Sequence, residues 1–174
     1  MRLRRLAASA LPFVLFACAR EEAPPAPASV SVSPPHGAAI SDAAFVATNG
    51  SIDLFAIRSS ELALQRSSSA RVREFAETMI RDHQGTSGQL SLEGRRLNLL
   101  PSATLRPAEQ AMLDALQTSA RFDADYIRDQ GAIHRQAVAL DGAYLGSGRS
   151  PTLRPVAASA LSIEQRHQRL LAYL

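Results

Sequence analysis

Residues 153–174, LRPVAASALSIEQRHQRLLAYL, carry the most regular helical pattern in the chain. Apolar side chains and one histidine recur there at alternating spacings of three and four residues: Leu153, Val156, Ala160, Ile163, His167, Leu170 and Leu174. This spacing puts them on a single face of a helix. The helix is predicted to begin near Ser150, or as late as about Arg154 because Pro155 does not fit a helix interior.

Three earlier segments have the same periodicity. The first covers residues 41–67, the second covers about 69–99 with a weak turn at Gly85 and Gly88, and the third runs from 107 into the glycine-rich stretch DGAYLGSG. No alternating strand pattern interrupts them. Four amphipathic helices with short connections predict an all-α fold, an up-down-up-down four-helix bundle.

The N-terminal part of the chain has a different composition. Residues 1–17, MRLRRLAASALPFVLFA, carry three arginines and then an apolar run, which is typical of a secretory signal peptide and too short for a membrane span. Residues 18–40 hold five of the ten prolines and predict an extended tether, within which His36 is expected to be solvated. The bundle is therefore assigned to residues 41–174.

Cys18 is the single cysteine, and it follows the apolar run in the sequence LFACAR. The segment resembles a bacterial lipobox, in which the cysteine is lipidated, although Phe16 is bulkier than the residue usual there. Cleavage by ordinary signal peptidase would instead leave a soluble periplasmic or secreted protein. We expect the lipid anchor on Cys18, which makes the membrane a partner and the bacterial periplasm or outer membrane the location.

The charge of the chain argues against nucleic-acid binding. Nineteen basic residues, all arginine, face sixteen acidic ones, and loss of the signal peptide removes Arg2, Arg4 and Arg5. The remaining chain is formally neutral and shows no basic stripe that could displace counterions from a phosphate backbone. The sequence also contains no Gly-rich phosphate loop, Cys/His cluster or nucleophile elbow.

Three groups of residues resemble one known family. Phe75–His83 reads FAETMIRDH, which is similar to the pattern FA-x-x-M-[VI]-x-DH; Tyr126 precedes His134 by eight residues; and His167 lies late in the last helix. These features resemble the DUF4142 domain over about residues 42–174. The resemblance implies a ferritin-like four-helix bundle in the bacterial envelope, and the family has no settled biochemical activity.

Three predicted helices each carry one histidine on the apolar seam, namely His83, His134 and His167. Ferritin-like di-iron proteins use Glu-x-x-His on two helices and a Glu on each of the others. Glu164 and His167 have this spacing, but Ile80 stands three residues before His83 and cannot bind a metal. We therefore expect no di-iron oxidase chemistry.

A different metal site would combine the three histidines with Glu164 or with Glu61 of the first helix. Such a set suits Zn²⁺, Cu²⁺ or Fe²⁺. Counting residues from the helix ends, with consecutive helices antiparallel, places His134 and His167 at a similar height and His83 a turn or more away. This count favours core histidines that hydrogen-bond facing carboxylates and fix helix register.

The sequence thus predicts a non-enzymatic, envelope-tethered bundle with a binding or structural role, and it assigns no catalytic residue, cofactor or protein partner. The alternative is a ferritin-like metal-binding protein with a transition metal in the bundle core. Its candidate ligands are His83, His134, His167, Glu164 and Glu61.

Overall fold

The computed structural model describes residues 39–174. These residues form five helices and no strand: α1 (Asp42–Arg66), α2 (Ala70–Arg95), α3 (Pro107–Thr118), α4 (Phe122–Ser147) and α5 (Leu153–Leu171). The predicted all-α class is confirmed. The predicted signal peptide, Cys18, His36 and nearly all of the predicted tether lie outside the described residues. Within residues 39–174, no helix has the length and apolar character that a membrane crossing requires.

Local sequence explains where several helices begin. The hydroxyl of Ser41 accepts a hydrogen bond from the backbone N–H of Ala44 at 3.2 Å and caps α1, as the sequence indicates. Pro107 is the first residue of α3, where a missing N–H leaves no hydrogen bond unmade. Pro155 lies in the first turn of α5 for the same reason, so that helix begins at Leu153.

α2 ends at Arg95, four residues earlier than predicted. The chain turns back there, and Leu99 N–H donates to the Gly94 carbonyl at 2.8 Å. A Cβ on Gly94 would lie 2.2 Å from the Leu99 oxygen, so only glycine permits this approach. Asn98 completes the turn with a left-handed φ of 56°, a conformation that asparagine tolerates better than most residues.

The predicted third helix is in fact two helices. The chain breaks at residues 119–121, where the Ser119 hydroxyl donates to Asp125 Oδ2 at 2.5 Å and links the break to the first turn of α4. The prediction of a weak turn at Gly85 and Gly88 is also wrong, since α2 is continuous through both glycines.

The two terminal core clusters give the direction of each helix. One cluster joins the ends of α1, α3 and α5 to the starts of α2 and α4, and the other joins the starts of α1 and α5 to the ends of α2 and α4. Thus α2 and α4 are parallel, and the long helices run up, down, down, up. The predicted up-down-up-down order is wrong because α3 carries the chain back along α1 before α4 begins.

The long helices surround one core. α1 packs extensively against α2, and α4 against α5; less extensive contacts join α1 to α4 and α2 to α5. α3 lies on α1 and α4 and covers the groove between them. Apolar clusters fill both ends of this core, whereas its middle level contains buried polar side chains.

Candidate metal centre

His83, His134, Glu164 and His167 come together at the middle level of the core. Each is at most 2% exposed, and one ligating atom from each lies within 4.8 Å of the others. The centroids of the three imidazole rings are 5.1 to 5.4 Å apart. The expectation that His83 lies a turn or more away is therefore wrong.

The direction of α4 accounts for this error. Residue 83 belongs to a helix that begins at 70, and residue 134 to a helix that begins at 122. Because these helices are parallel, both histidines lie a little more than three turns from the same end of the bundle. The count from the sequence assumed that the two helices are antiparallel and that a single helix joins residue 107 to residue 134.

Each imidazole uses one ring nitrogen in a hydrogen bond directed away from the group. His83 Nδ1 donates to Asp53 Oδ1 at 2.8 Å, His134 Nδ1 to the carbonyl oxygen of Gln130 at 2.7 Å, and His167 Nε2 to Asp82 Oδ2 at 3.0 Å. A carbonyl or carboxylate oxygen only accepts, so the proton lies on these nitrogens. The hydrogen bonds thus set the tautomer and orientation of all three rings.

The opposite nitrogens consequently carry lone pairs, and these face one another. His134 Nε2 lies 3.5 Å from His83 Nε2, 3.1 Å from His167 Nδ1 and 3.5 Å from Glu164 Oε2. Within residues 39–174, Glu164 Oε2 is a buried oxygen that receives no hydrogen bond. Four donor atoms directed at one point repel each other unless a proton or a metal ion lies between them.

Burial determines the protonation of most of the group. It lowers the pKa of His134 well below 6.5 and that of His167 to about 4, and the neighbouring charge of His83 acts in the same direction. Both rings are therefore neutral at pH 7. Burial raises the pKa of Glu164 to about 8, and the carboxylates of Asp53 and Asp141 add to this increase.

His83 is the exception among the imidazoles. Burial lowers the pKa of its ring, but the hydrogen bond to Asp53 and the charge of Glu164 outweigh burial and raise this pKa above 6.5. A proton therefore resides in the metal-free group, on His83 or Glu164, at the place where the four donors meet. A metal ion would replace this proton, because metal binding requires deprotonated ligands.

The donor set suits a transition-metal ion, and three of its six donor-to-donor distances match tetrahedral coordination. Metal–nitrogen and metal–oxygen bonds of about 2.0–2.1 Å put tetrahedral ligands about 3.3–3.4 Å apart, close to the 3.1 to 3.5 Å between His134 Nε2 and its three neighbours. All three imidazoles also have the outer carboxylate or carbonyl partner that metal-binding histidines normally possess. The residues present therefore fit a metal.

Of the candidate ligands named from the sequence, the structure brings four together and leaves out Glu61. Glu61 is exposed on α1 and is not part of the buried group. The contribution of α1 is Asp53, which the sequence analysis did not single out. A signal existed, because Asn49 and Asp53 stand one helical turn apart on a face of α1 that also carries Val46 and Ala56.

The model of the family described as "Domain of unknown function (DUF4142)" matches residues 26–173. The chain belongs to the DUF4142 family. This confirms the resemblance seen in residues 75–83 and around His134 and His167. No curated protein is significantly similar to this DUF4142 protein.

Several solved structures share the fold of this DUF4142 protein. CopM in the Cu(II)-bound form has a TM-score of 0.67 and 19% sequence identity, over 78% of this chain and 96% of the CopM chain. The Ag-bound form has a TM-score of 0.64 and 18% identity over 77% and 94%, and the apo form a TM-score of 0.63 and 19% identity over 77% and 95%. Similarity at this level of identity shows the fold alone.

Proposed function

We propose that this DUF4142 protein is a metal-binding protein that holds one divalent transition-metal ion between His83, His134, His167 and Glu164. The observation that carries the proposal is the convergence of four buried donor groups, three imidazoles and the Glu164 carboxyl group. Each imidazole carries its hydrogen-bonding proton on the nitrogen opposite to the one that faces the group. In a purely structural group the atoms that face one another would also be hydrogen-bonded, because buried polar groups in folded proteins normally are, whereas Glu164 Oε2 receives no hydrogen bond.

Cu²⁺ and Zn²⁺ are the ions that this donor set favours. Imidazole and carboxylate ligands suit both, and the Irving–Williams order gives Cu²⁺ the higher affinity. The similarity to CopM, solved with bound copper, supports Cu²⁺, whereas the distances from His134 Nε2 to its three neighbours, which match a tetrahedral site, support Zn²⁺. A competition experiment with both ions shows which of them the protein prefers.

Two further features belong to the proposal. The long helices form two antiparallel pairs, α1–α2 and α4–α5, joined by a single long connection. Ferritin-like folds with one crossover have the same connectivity, which supports a relation to the ferritin-like fold. The lipobox-like segment at Cys18 supports an anchor at the envelope membrane. Mass spectrometry of the mature N-terminus tests the anchor; an unmodified chain starting after Cys18 would refute it.

The metal content of the protein tests the proposal directly. The full chain, produced without an affinity tag, is loaded with Cu²⁺ or Zn²⁺, passed through a desalting column and analysed for metal per chain. We expect one ion per chain for the wild type and less than stoichiometric metal for His134→Ala. Glu164→Gln, which keeps the volume of the side chain, covers the case in which His134→Ala does not fold.

Two controls make the result specific. His36→Ala removes the histidine of the predicted tether, and Glu61→Gln removes an exposed carboxylate, so both variants should retain one ion.

Calorimetry in buffers of different ionisation enthalpy should also show proton release on binding, because the metal replaces a proton within the group. If the wild type retains neither ion, the group is structural and the proposal fails.

A further inference from the structure

The buried metal group raises the question of how an ion reaches it. His83 and His134 lie more than three turns from either end of their helices, and the apolar clusters fill the core on both sides of them. At 1.5 Å per residue, the way in along these helices is about 18–20 Å through packed side chains. The way in between two helices is shorter, because neighbouring helix axes are only about 8–10 Å apart.

The groove between α2 and α5 is one of the two less extensively packed of the four helix–helix grooves, and α3 does not lie on it. The pairs α1–α2 and α4–α5 pack most extensively, and α3 covers the groove between α1 and α4. Between α2 and α5 lies a surface pocket of about 230 Å³ lined by Arg81, Asp82, Gly85, Thr86, Gln89 and Ile163. The larger pockets formed by residues 39–174 lie near the ends of the bundle and contain none of the side chains that hydrogen-bond the imidazoles.

This pocket reaches the metal group through two of its lining residues. Asp82 accepts the hydrogen bond of His167 at 3.0 Å, and Thr86 donates to Asp53 at 2.9 Å, which in turn holds His83. Thr86 also lines a small internal cavity of about 10 Å³ that contacts Asp53 on the inner side. The floor of the pocket is therefore one or two hydrogen bonds from two metal-binding rings.

Asp82 has the properties of a residue that receives a cation from solvent. Its side chain is 13% exposed, and its carboxylate is held by the exposed guanidinium groups of Arg166 at 2.6 Å and Arg81 at 3.3 Å. Both guanidinium groups are themselves exposed, so each arginine side chain can leave the carboxylate for solvent, while Asp82 keeps its hydrogen bond with His167. When the arginine side chains leave, a carboxylate adjacent to His167 faces the pocket.

We propose that the pocket between α2 and α5 is the route by which the metal ion reaches the centre, with Asp82 as its first ligand. The inference rests on the proposed metal-binding function. The ion binds Asp82 as Arg166 moves away, and it then passes beside the ring of His167 to the point where the four donors meet.

Gly85 allows a sharp test of this route. A Cβ at Gly85 or at Gly88 would meet no atom within 4 Å, so both positions on the same helix accept a larger residue. A leucine at 85 fills the pocket, whereas a leucine at 88 lies outside its lining. Both substitutions remove a helix glycine and should stabilise α2 by a similar, small amount.

The experiment measures uptake and release of Co²⁺, whose visible absorption reports its ligands, by stopped flow with the metal-free full chain and then with excess EDTA. We expect Gly85→Leu to slow both steps by the same factor and to leave the dissociation constant unchanged; a barrier only about 1.4 kcal/mol higher slows each step tenfold. Gly88→Leu should match the wild type. Arg166→Gln should speed both steps by up to about fivefold, the factor that corresponds to about 1 kcal/mol.

The outcomes separate the two proposals. If the wild type binds no Co²⁺, Cu²⁺ or Zn²⁺ at equilibrium, the proposed function fails, and the route fails with it. If the wild type binds metal but Gly85→Leu and Gly88→Leu have the same rates, the function stands and the proposed route is wrong. A change of the dissociation constant in Gly85→Leu, without a change of the uptake rate, would also overturn the route.

Discussion

Replacing Glu164 by glutamine should change stability and metal affinity in opposite directions. The carboxylate is 2% exposed, and burial raises its pKa from 4.5 to about 8. A carboxyl group whose pKa is higher in the folded protein favours folding while it is protonated, below about pH 4.5. That contribution is lost as the pH rises towards 8, because the unfolded chain ionises freely and the folded chain does not.

The size of the effect follows from the same shift. At about 1.4 kcal/mol for each pH unit, the metal-free wild type should lose at most about 3 kcal/mol of unfolding free energy between pH 5.5 and pH 8 because of this group. Charge on His83 offsets part of the loss, since it favours the ionised carboxyl. A glutamine at position 164 does not titrate in this range. The unfolding free energy of Glu164→Gln should therefore rise by about 1–3 kcal/mol relative to that of the wild type between pH 5.5 and pH 8.

Urea unfolding of the metal-free proteins at the two pH values measures this gain, which corresponds to roughly 1 M in the urea midpoint. Metal affinity should fall more than about 100-fold in the same variant, because replacing even an outer partner of a ligand typically costs 10–100-fold. Glu61→Gln, on the exposed face of α1, should change neither quantity. Equal pH dependence in Glu164→Gln and the wild type would refute the account of burial, and unaltered affinity would refute the assignment of Glu164 as a ligand.

Two other substitutions test the surroundings of the centre and the packing of the fold. Asp53→Asn should weaken metal binding by about 10–100-fold, because His83 loses the carboxylate that orients it; a titration that gives the wild-type affinity would contradict this role. Gly50→Ala should lower the melting temperature, since the new Cβ would lie 2.6 Å from Pro101 Cβ. Gly142→Ala, at a position with open space, should raise it, and equal shifts for the two variants would show that the close approach is unimportant.

The histidines of the centre were accessible to sequence reasoning, because each lies on the apolar seam of a long helix. The spacing of Glu164 and His167 likewise identified a possible ligand pair. Seam position establishes that a side chain points inward, and the structure brings all four of these side chains together. Seam position does not establish how far along the bundle a side chain lies, because that level depends on where each helix ends and on the direction in which it runs.

The helix ends were the weak point of the prediction. The break at residues 119–121 contains neither glycine nor proline, and it is held by the contact of Ser119 with Asp125, so local propensity gave little warning. The early end of α2 depends on a local turn, in which Asn98 is left-handed and the Leu99 N–H donates to the Gly94 carbonyl. An asparagine just after a helix is a stop signal that the sequence analysis did not use. Both errors change the estimated heights of the histidines along the bundle. The break also conceals that α4 runs antiparallel to α3 and therefore parallel to α2.

The placement of the three imidazoles on three different helices has a consequence for the order of events during folding. Successive imidazoles of the group are separated by 51 residues between His83 and His134 and by 33 between His134 and His167. No short segment of the nascent chain can therefore bring two imidazoles onto the same ion without closing a long loop, which is entropically costly. Under the proposed function, an unfolded chain should accordingly carry no tightly held metal, and loading should begin only once α3 has returned the chain and α4 and α5 have docked.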